Sequence, residues 1–194
     1  MALASSPAQT YTADEYLALE VESDIRHEYR HGEIIPMTGG TPEHNKIASA
    51  LNALLWFALR GKPYSLFITD QRLWIPAADS YTYPDGMVIA DPVELKPGRK
   101  DTVTNPLLLA EVLSDSTEKY DRGDKFEAYR TLASLQEYLL IDQYRPHVEQ
   151  YVKQSEHQWL FTEYTGLAAR VQLASIPVEL ALQDLYLGVI TTKP

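Results

Sequence analysis

Apolar positions along the chain change their period several times, and each change predicts a new element. Thr12 followed three residues later by Glu15, just ahead of the apolar-rich "YLALEV", is a capping-box pattern and predicts a short N-terminal helix. In "RHEYRHGEIIPM" the spacing shortens to that of a hairpin, with a turn near Arg30, His31 and Gly32 and a strand through Glu33, Ile34 and Ile35. The strongest helix follows over residues 41–61. Thr41 suits the N-cap and Pro42 the first helical position, Ile47, Leu51, Leu54 and Leu55 recur at helical spacing, and Gly61 ends the run.

Beyond Gly61 the period falls towards two. "YSLFITD", "RLWIP", "MVIAD" and "LLLAEVL" are short runs rich in branched and aromatic residues, divided by Pro, Gly, Asp and Asn, and they read as strands. Helical spacing returns in "DRGDKFEAYRTLASL", with Phe126, Tyr129 and Leu132 on one side. "EYLLID", "HVEQYVKQ" and "WLFTEYT" then read as a strand meander, and residues 177–187 close as a short helix or strand. No internal repeat, low-complexity tract or dividing linker interrupts this order. It predicts one α/β (mixed α+β) domain over residues 1–194, a central mixed sheet with helices on its faces, and a flexible tail over residues 1–10.

Composition narrows the function. A chain of 194 residues with 45% hydrophobic and 23% charged residues can bury its own core. No apolar run approaches the roughly 20 residues of a membrane span. "MALASSPAQT" has neither the basic start nor the apolar stretch of a signal peptide, so a cytoplasmic location is expected, with no membrane partner. The absence of cysteine excludes a thiolate nucleophile and a Cys-based zinc site. A net charge of -10 argues against a protein that coats nucleic acid, yet it suits an enzyme whose acids bind a divalent metal.

Glu111 breaks the hydrophobic pattern. Leu107, Leu108, Leu109, Ala110, Val112 and Leu113 surround it, and a strand apolar on both faces is a central one. A carboxylate there needs a cation, from a basic side chain or a metal ion, or it must hold a proton, because burying it unpaired is strongly unfavourable. Asp85, following Pro84 at the mouth of another strand, offers a second hard oxygen ligand, and oxygen-only ligation suits Mg²⁺ or Mn²⁺. Taken alone, Tyr83-Pro84-Asp85-Gly86 is also plain turn chemistry. Asp121, Lys125 and Tyr129 fall at successive four-residue steps on one helical face, the spacing of a solvated ion pair. The short connection from Glu111, however, lets this helix fold back over the strand end that carries the acids.

Tyr83-Pro84-Asp85, Glu111-Val112-Leu113-Ser114, Asp121-Arg122 with Lys125 and Tyr129, and "EYLLID" ending at Asp142, together with Gly32-Glu33 and His44, resemble the Uma-two family within the PD-(D/E)XK nuclease superfamily. The resemblance spans residues 12–151. It implies a restriction endonuclease-like core, Asp85 and Glu111 as metal ligands, and Lys125 as the catalytic lysine. In the superfamily's usual pattern the lysine stands two residues after the acid on the same strand; here that position is Leu113, so Lys125 has to reach the site from the next helix. The resemblance also draws in Glu33 and His44. Glu33 reads either as an exposed edge-strand acid or as a participant in the metal site. His44 reads either as a polar helix-start residue or as a group that binds phosphate or orients water. Neighbouring Glu43 fits a first-turn acid favoured by the helix dipole, and His27, His31, His147 and His157 show no spacing that suggests zinc.

The expected activity is Mg²⁺- or Mn²⁺-dependent hydrolysis of phosphodiester bonds in DNA. Asp85, Glu111 and the Val112 carbonyl would hold the ion, and Lys125 would position or deprotonate water or neutralise developing charge. Cutting both strands with one site per chain would suit a homodimer. The alternative is a catalytically silent nucleic-acid-binding or scaffold module that retains the fold. A ligand-binding surface built from Trp56, Trp74 and the tyrosines is a third reading, although such residues more often form core.

Overall fold

The computed structural model describes residues 9–189, so most of the tail expected over residues 1–10 lies outside the described residues. Helix α1 (Ala13–Glu22) starts at the capping box: Thr12 Oγ1 accepts the Glu15 N–H at 3.2 Å, and Glu15 Oε2 accepts the Thr12 N–H at 2.7 Å. Strands β1 (His27–Arg30) and β2 (Glu33–Pro36) form the predicted hairpin, turning through His31 and Gly32 at positive φ. Helix α2 (Pro42–Leu59) is capped by Thr41 Oγ1, which accepts the His44 N–H at 3.1 Å. Its apolar stripe of Ile47, Leu51, Leu55 and Leu59 is buried.

Six strands build the central sheet: β3 (Tyr64–Ile68), β6 (Gly86–Ala90), β8 (Leu108–Leu113), β9 (Glu137–Asp142), β10 (His147–Ser155) and β11 (Gln158–Thr165). Their order is β11-β10-β9-β8-β6-β3, with β8 and β9 parallel and the other neighbours antiparallel. Alternation along β8 decides what lies on each face. Leu108, Ala110 and Val112 pack with the α2 stripe, while Leu109 and Leu113 pack with Phe126, Tyr129 and Tyr138 on the other side. Glu111, odd-numbered like Leu109 and Leu113, therefore belongs to the second face.

A second, five-stranded sheet runs β2-β1-β5-β4-β7, adding β4 (Arg72–Ile75), β5 (Ser80–Thr82) and β7 (Thr102–Val103). One mixed sheet was expected; β5 and β7 are too short for a period-two pattern to register. The chain passes from the second sheet to the central one at Tyr83-Pro84-Asp85, between β5 and β6. The helix expected over residues 121–135 is instead two short ones, α3 (Glu118–Arg122) and α4 (Asp124–Tyr129), broken at Gly123. Gly123 adopts φ -105 and ψ -105, and a Cβ there would sit 3.0 Å from the Lys119 carbonyl oxygen. Residues 177–187 divide between β13 (Glu179–Ala181), which pairs with β12 (Arg170–Gln172), and α5 (Leu182–Leu185).

Gly86 fixes how closely α2 sits on the central sheet. A Cβ there would lie 3.1 Å from Leu51 Cδ2 and 3.6 Å from the Ala110 side chain. A branched side chain would push α2 away, since overpacking a filled core costs about 1–3 kcal/mol. Gly86→Val should lower stability by about that amount in urea unfolding with an unchanged m-value; wild-type stability would show that α2 is not held by this contact.

Candidate active site

Four carboxylates, two permanent cations and one histidine converge on a cleft of about 650 Å³ lined by Glu28, Arg30, His44, Asp85, Glu111, Asp121 and Lys125. They arrive from β1, the start of α2, the junction between the sheets, β8, α3 and α4. The β6–β8 register pairs Gly86 with Ala110, and one further step sets Asp85 across from Glu111. Like charges directly opposite in a ladder repel, so this pair needs compensation. Asp85 Oδ2 accepts the Val112 N–H at 2.8 Å, and Oδ1 lies 3.2 Å from His44 Nε2 on the first turn of α2. Asn52 donates to the Asp85 carbonyl at 3.0 Å. The end of α2 that carries His44 is thus tied to the junction between the two sheets.

Lys125 reaches Glu111 from α4. Its Nζ lies 2.8 Å from Glu111 Oε1 and 3.4 Å from both Glu28 Oε1 and Asp121 Oδ1. The break at Gly123 does not dissolve the four-residue series: Asp121, Lys125 and Tyr129 still share one face, but that face is buried rather than solvated. Tyr129 donates its hydroxyl to Glu111 Oε1 at 2.7 Å and lies 3.3 Å from Thr82 Oγ1, which donates to Glu28 Oε1 at 2.8 Å. Arg30 binds Glu28 Oε2 and stacks on the Tyr120 ring.

Of the residues singled out in the sequence, Asp85, Glu111, Val112, Lys125 and His44 line the cleft. Glu33 does not. It shares the hairpin face of Glu28 and Arg30, but it sits at the turn end of edge strand β2, exposed and opposite Arg30. The hairpin acid that enters the cleft is Glu28, 6% exposed. In "HEYR" nothing apolar surrounds it, so no local anomaly marked it; only the alternation with buried Tyr29 could have assigned its face. Asp142 caps a turn instead, accepting the Tyr144 N–H at 2.7 Å. Trp74 stacks on Tyr81, while Trp56 is half exposed.

A family model described as a putative restriction endonuclease, Uma2, matches residues 13–187. The chain belongs to the Uma2 family. Two relatives from Synechocystis sp. are the uncharacterized protein sll1609, 42% identical over 167 residues (86% of this chain and 94% of the relative), and the uncharacterized protein slr1290, 36% identical over 186 residues (95% of each). Among solved structures, a putative nuclease belonging to DUF820 from Anabaena variabilis superposes with a TM-score of 0.73 at 21% identity, covering 91% of this chain and 97% of that one. That likeness establishes the mixed α/β, restriction endonuclease-like fold. Among the described residues no helix is long and apolar enough to cross a membrane.

Electrostatics in this Uma2 cleft follow from crowding. Burial, aided by the charges of Asp121 and Asp85, pushes the Glu111 carboxyl up to about 8 against the pull of Lys125. Burial disfavours the Lys125 ammonium, yet Glu111, Tyr129, Glu28 and Asp121 outweigh it and hold its pKa well above the ordinary lysine value. Burial also pushes Glu28 upward, but Lys125 and Arg30 prevail and lower it. The hydrogen bond to Asp85 raises His44. Glu111 therefore keeps its proton to a higher pH than an ordinary carboxyl while Lys125 stays charged.

A stability profile follows. Folded Glu111 holds a proton that the unfolded chain releases above 4.5, so its contribution is complete below that pH and is lost as the pH rises towards 8. His44, also raised, begins to lose its contribution only above 6.5. Lys125 contributes a constant amount below 10.5. The melting temperature in EDTA should fall as the pH rises from about 5 to 6.5, and Glu111→Gln should flatten that segment. A flat wild-type profile there would refute the protonated Glu111.

Proposed function

We propose that this Uma2 protein is a divalent-metal-dependent endonuclease that hydrolyses phosphodiester bonds in DNA. The observation carrying the proposal is the meeting of Asp85, Glu111 and Lys125 in one cleft, from the sheet junction, β8 and α4, although 40 residues separate Asp85 from Lys125 in the chain. The family description supports nuclease chemistry.

The donor set fits Mg²⁺ or Mn²⁺. It consists of hard oxygen ligands, and the cleft's four carboxylates exceed the charge that Lys125 and Arg30 supply. Glu111 Oε1 is occupied by Lys125 and Tyr129, so Oε2 is the oxygen left for an ion. Within a strand, the N–H and C=O of one residue point to the same neighbour; the Val112 carbonyl therefore faces the Asp85 side, as its N–H does. Asp85, Glu111 and the Val112 carbonyl would hold the ion, which supplies Lewis-acid stabilisation of charge on the scissile phosphate.

The chain's own groups do the remainder. Lys125, charged and fixed by three carboxyl groups, is an ammonium that offsets charge building on the phosphate and donates a hydrogen bond; its raised pKa keeps it protonated, so it neither gives up a proton nor serves as a base. His44 orients Asp85. Thr41 and the start of α2, with Ser114, Ser116 and Thr117 across the cleft, present N–H and hydroxyl donors to the flanking phosphates.

Single-turnover cleavage of plasmid DNA in Mg²⁺ or Mn²⁺ tests the roles. Asp85→Asn and Glu111→Gln should each slow cleavage by about two orders of magnitude or more. Lys125→Ala should lose cleavage and about 3–5 kcal/mol of stability, because it strands buried acids. Glu28→Gln with Lys125→Met, which removes a charged acid together with its cation, should regain part of that stability without regaining cleavage. If wild type cuts neither DNA nor RNA with either metal but binds nucleic acid as the variants do, the protein is the silent module instead.

A further inference from the structure

The geometry points to a second metal site, on the β10–β11 hairpin, that takes a borderline divalent cation such as Zn²⁺ through His147, Glu149 and Glu163. Their spacing in the chain gave no zinc signature, because the third ligand lies across a hairpin. In the β10–β11 register Glu149 stands directly opposite Glu163, and His147 opposite Thr165. Two carboxylates placed face to face in a ladder repel unless something positive lies between them. His147 is where they meet: its Nε2 is 3.4 Å from Glu149 Oε1 and 3.5 Å from Glu163 Oε1.

Those separations are long for charge-assisted hydrogen bonds, which run about 2.7–2.9 Å. They match ligands sharing one ion. Zn–N and Zn–O bonds of about 2.0–2.2 Å in a tetrahedron put neighbouring ligand atoms about 3.3–3.6 Å apart. All three ligand atoms lie within 4.8 Å of one another.

The groups behind the ligands are also in place. His147 Nδ1 lies 3.0 Å from Thr165 Oγ1, which fixes the ring and leaves Nε2 for the ion. Glu149 Oε2 accepts from Arg122 of α3 and, at 3.2 Å, from the Tyr151 hydroxyl, so Oε1 is the oxygen turned towards His147. Arg122 thus orients Glu149 through Oε2. His147 and Glu149 are 4% and 6% exposed, whereas Glu163 is open to solvent, which leaves the fourth coordination position accessible. One nitrogen and two carboxylate oxygens favour Zn²⁺ over Mg²⁺, which prefers six oxygens.

Metal-stripped full-length protein titrated with Zn²⁺ by calorimetry, and with Co²⁺ by visible absorption, tests the site. The expected result is roughly one equivalent with tetrahedral Co²⁺ bands in addition to any ion taken up by the cleft. Asp85→Asn should retain that equivalent, which separates it from the cleft. His147→Gln and Glu163→Gln should each weaken it at least tenfold; Glu163 is exposed, so its variant reports even if the buried His147 variant fails to fold. Absence of Zn²⁺ binding, or equal binding by wild type and Glu163→Gln, would overturn the assignment and leave His147 as a bridge between two acids with no ion.

Discussion

A carboxylate in the middle of an apolar sheet has to be answered by a cation or a proton, and the fold around Glu111 is arranged to supply the answer. β8 is central in a six-stranded sheet, so Glu111 starts from a largely apolar surrounding. The position that would carry a lysine on the same strand, Leu113, instead continues the packing against Phe126 and Tyr138. The cation therefore comes from the connection to β9. That connection folds back as α3 and α4, and the break at Gly123 lets two short helices follow the sheet surface. Once Lys125 is there, Glu28 and Asp121 gather around its remaining protons, and Arg30 balances Glu28 in turn. The cluster is a chain of compensations that starts from one buried acid.

How much of this the sequence displayed depends on whether the signal was local. The ends of α2 were legible because capping and proline chemistry act within four residues. Glu111 was legible because its neighbours are all apolar. Glu28 is hidden among polar neighbours, and Glu33 shares its hairpin face; position along the hairpin, not residue type, separates them. The second sheet escaped because β5 and β7 are two or three residues long. His147, Glu149 and Glu163 escaped for a third reason: cross-strand neighbours are set by a turn, and spacing in the chain carries no trace of it.

Tyr83-Pro84-Asp85 answers to both sheets. Tyr83 accepts the Arg72 Nε–H at 2.7 Å and donates to Glu20 at 2.9 Å, which holds the segment to β4 and α1, while Asp85 two residues later is bonded to β8 and α2. The turn chemistry of Pro84 and the carboxylate of Asp85 are one device, a fixed bend that delivers an acid to the seam between the sheets.

The contacts that complete the cleft also determine when it can exist. Thr82 and Glu28 are 54 residues apart in the chain, Asp85 and His44 41, Val112 and Asp85 27. Such non-local closures come late in folding, since loop entropy has to be overcome before they are rewarded. During synthesis the acids emerge from the ribosome first, and Lys125 follows all of them. A nascent or misfolded chain therefore carries scattered carboxylates and no assembled centre, so the chemistry of the cleft becomes available only in molecules that have finished folding.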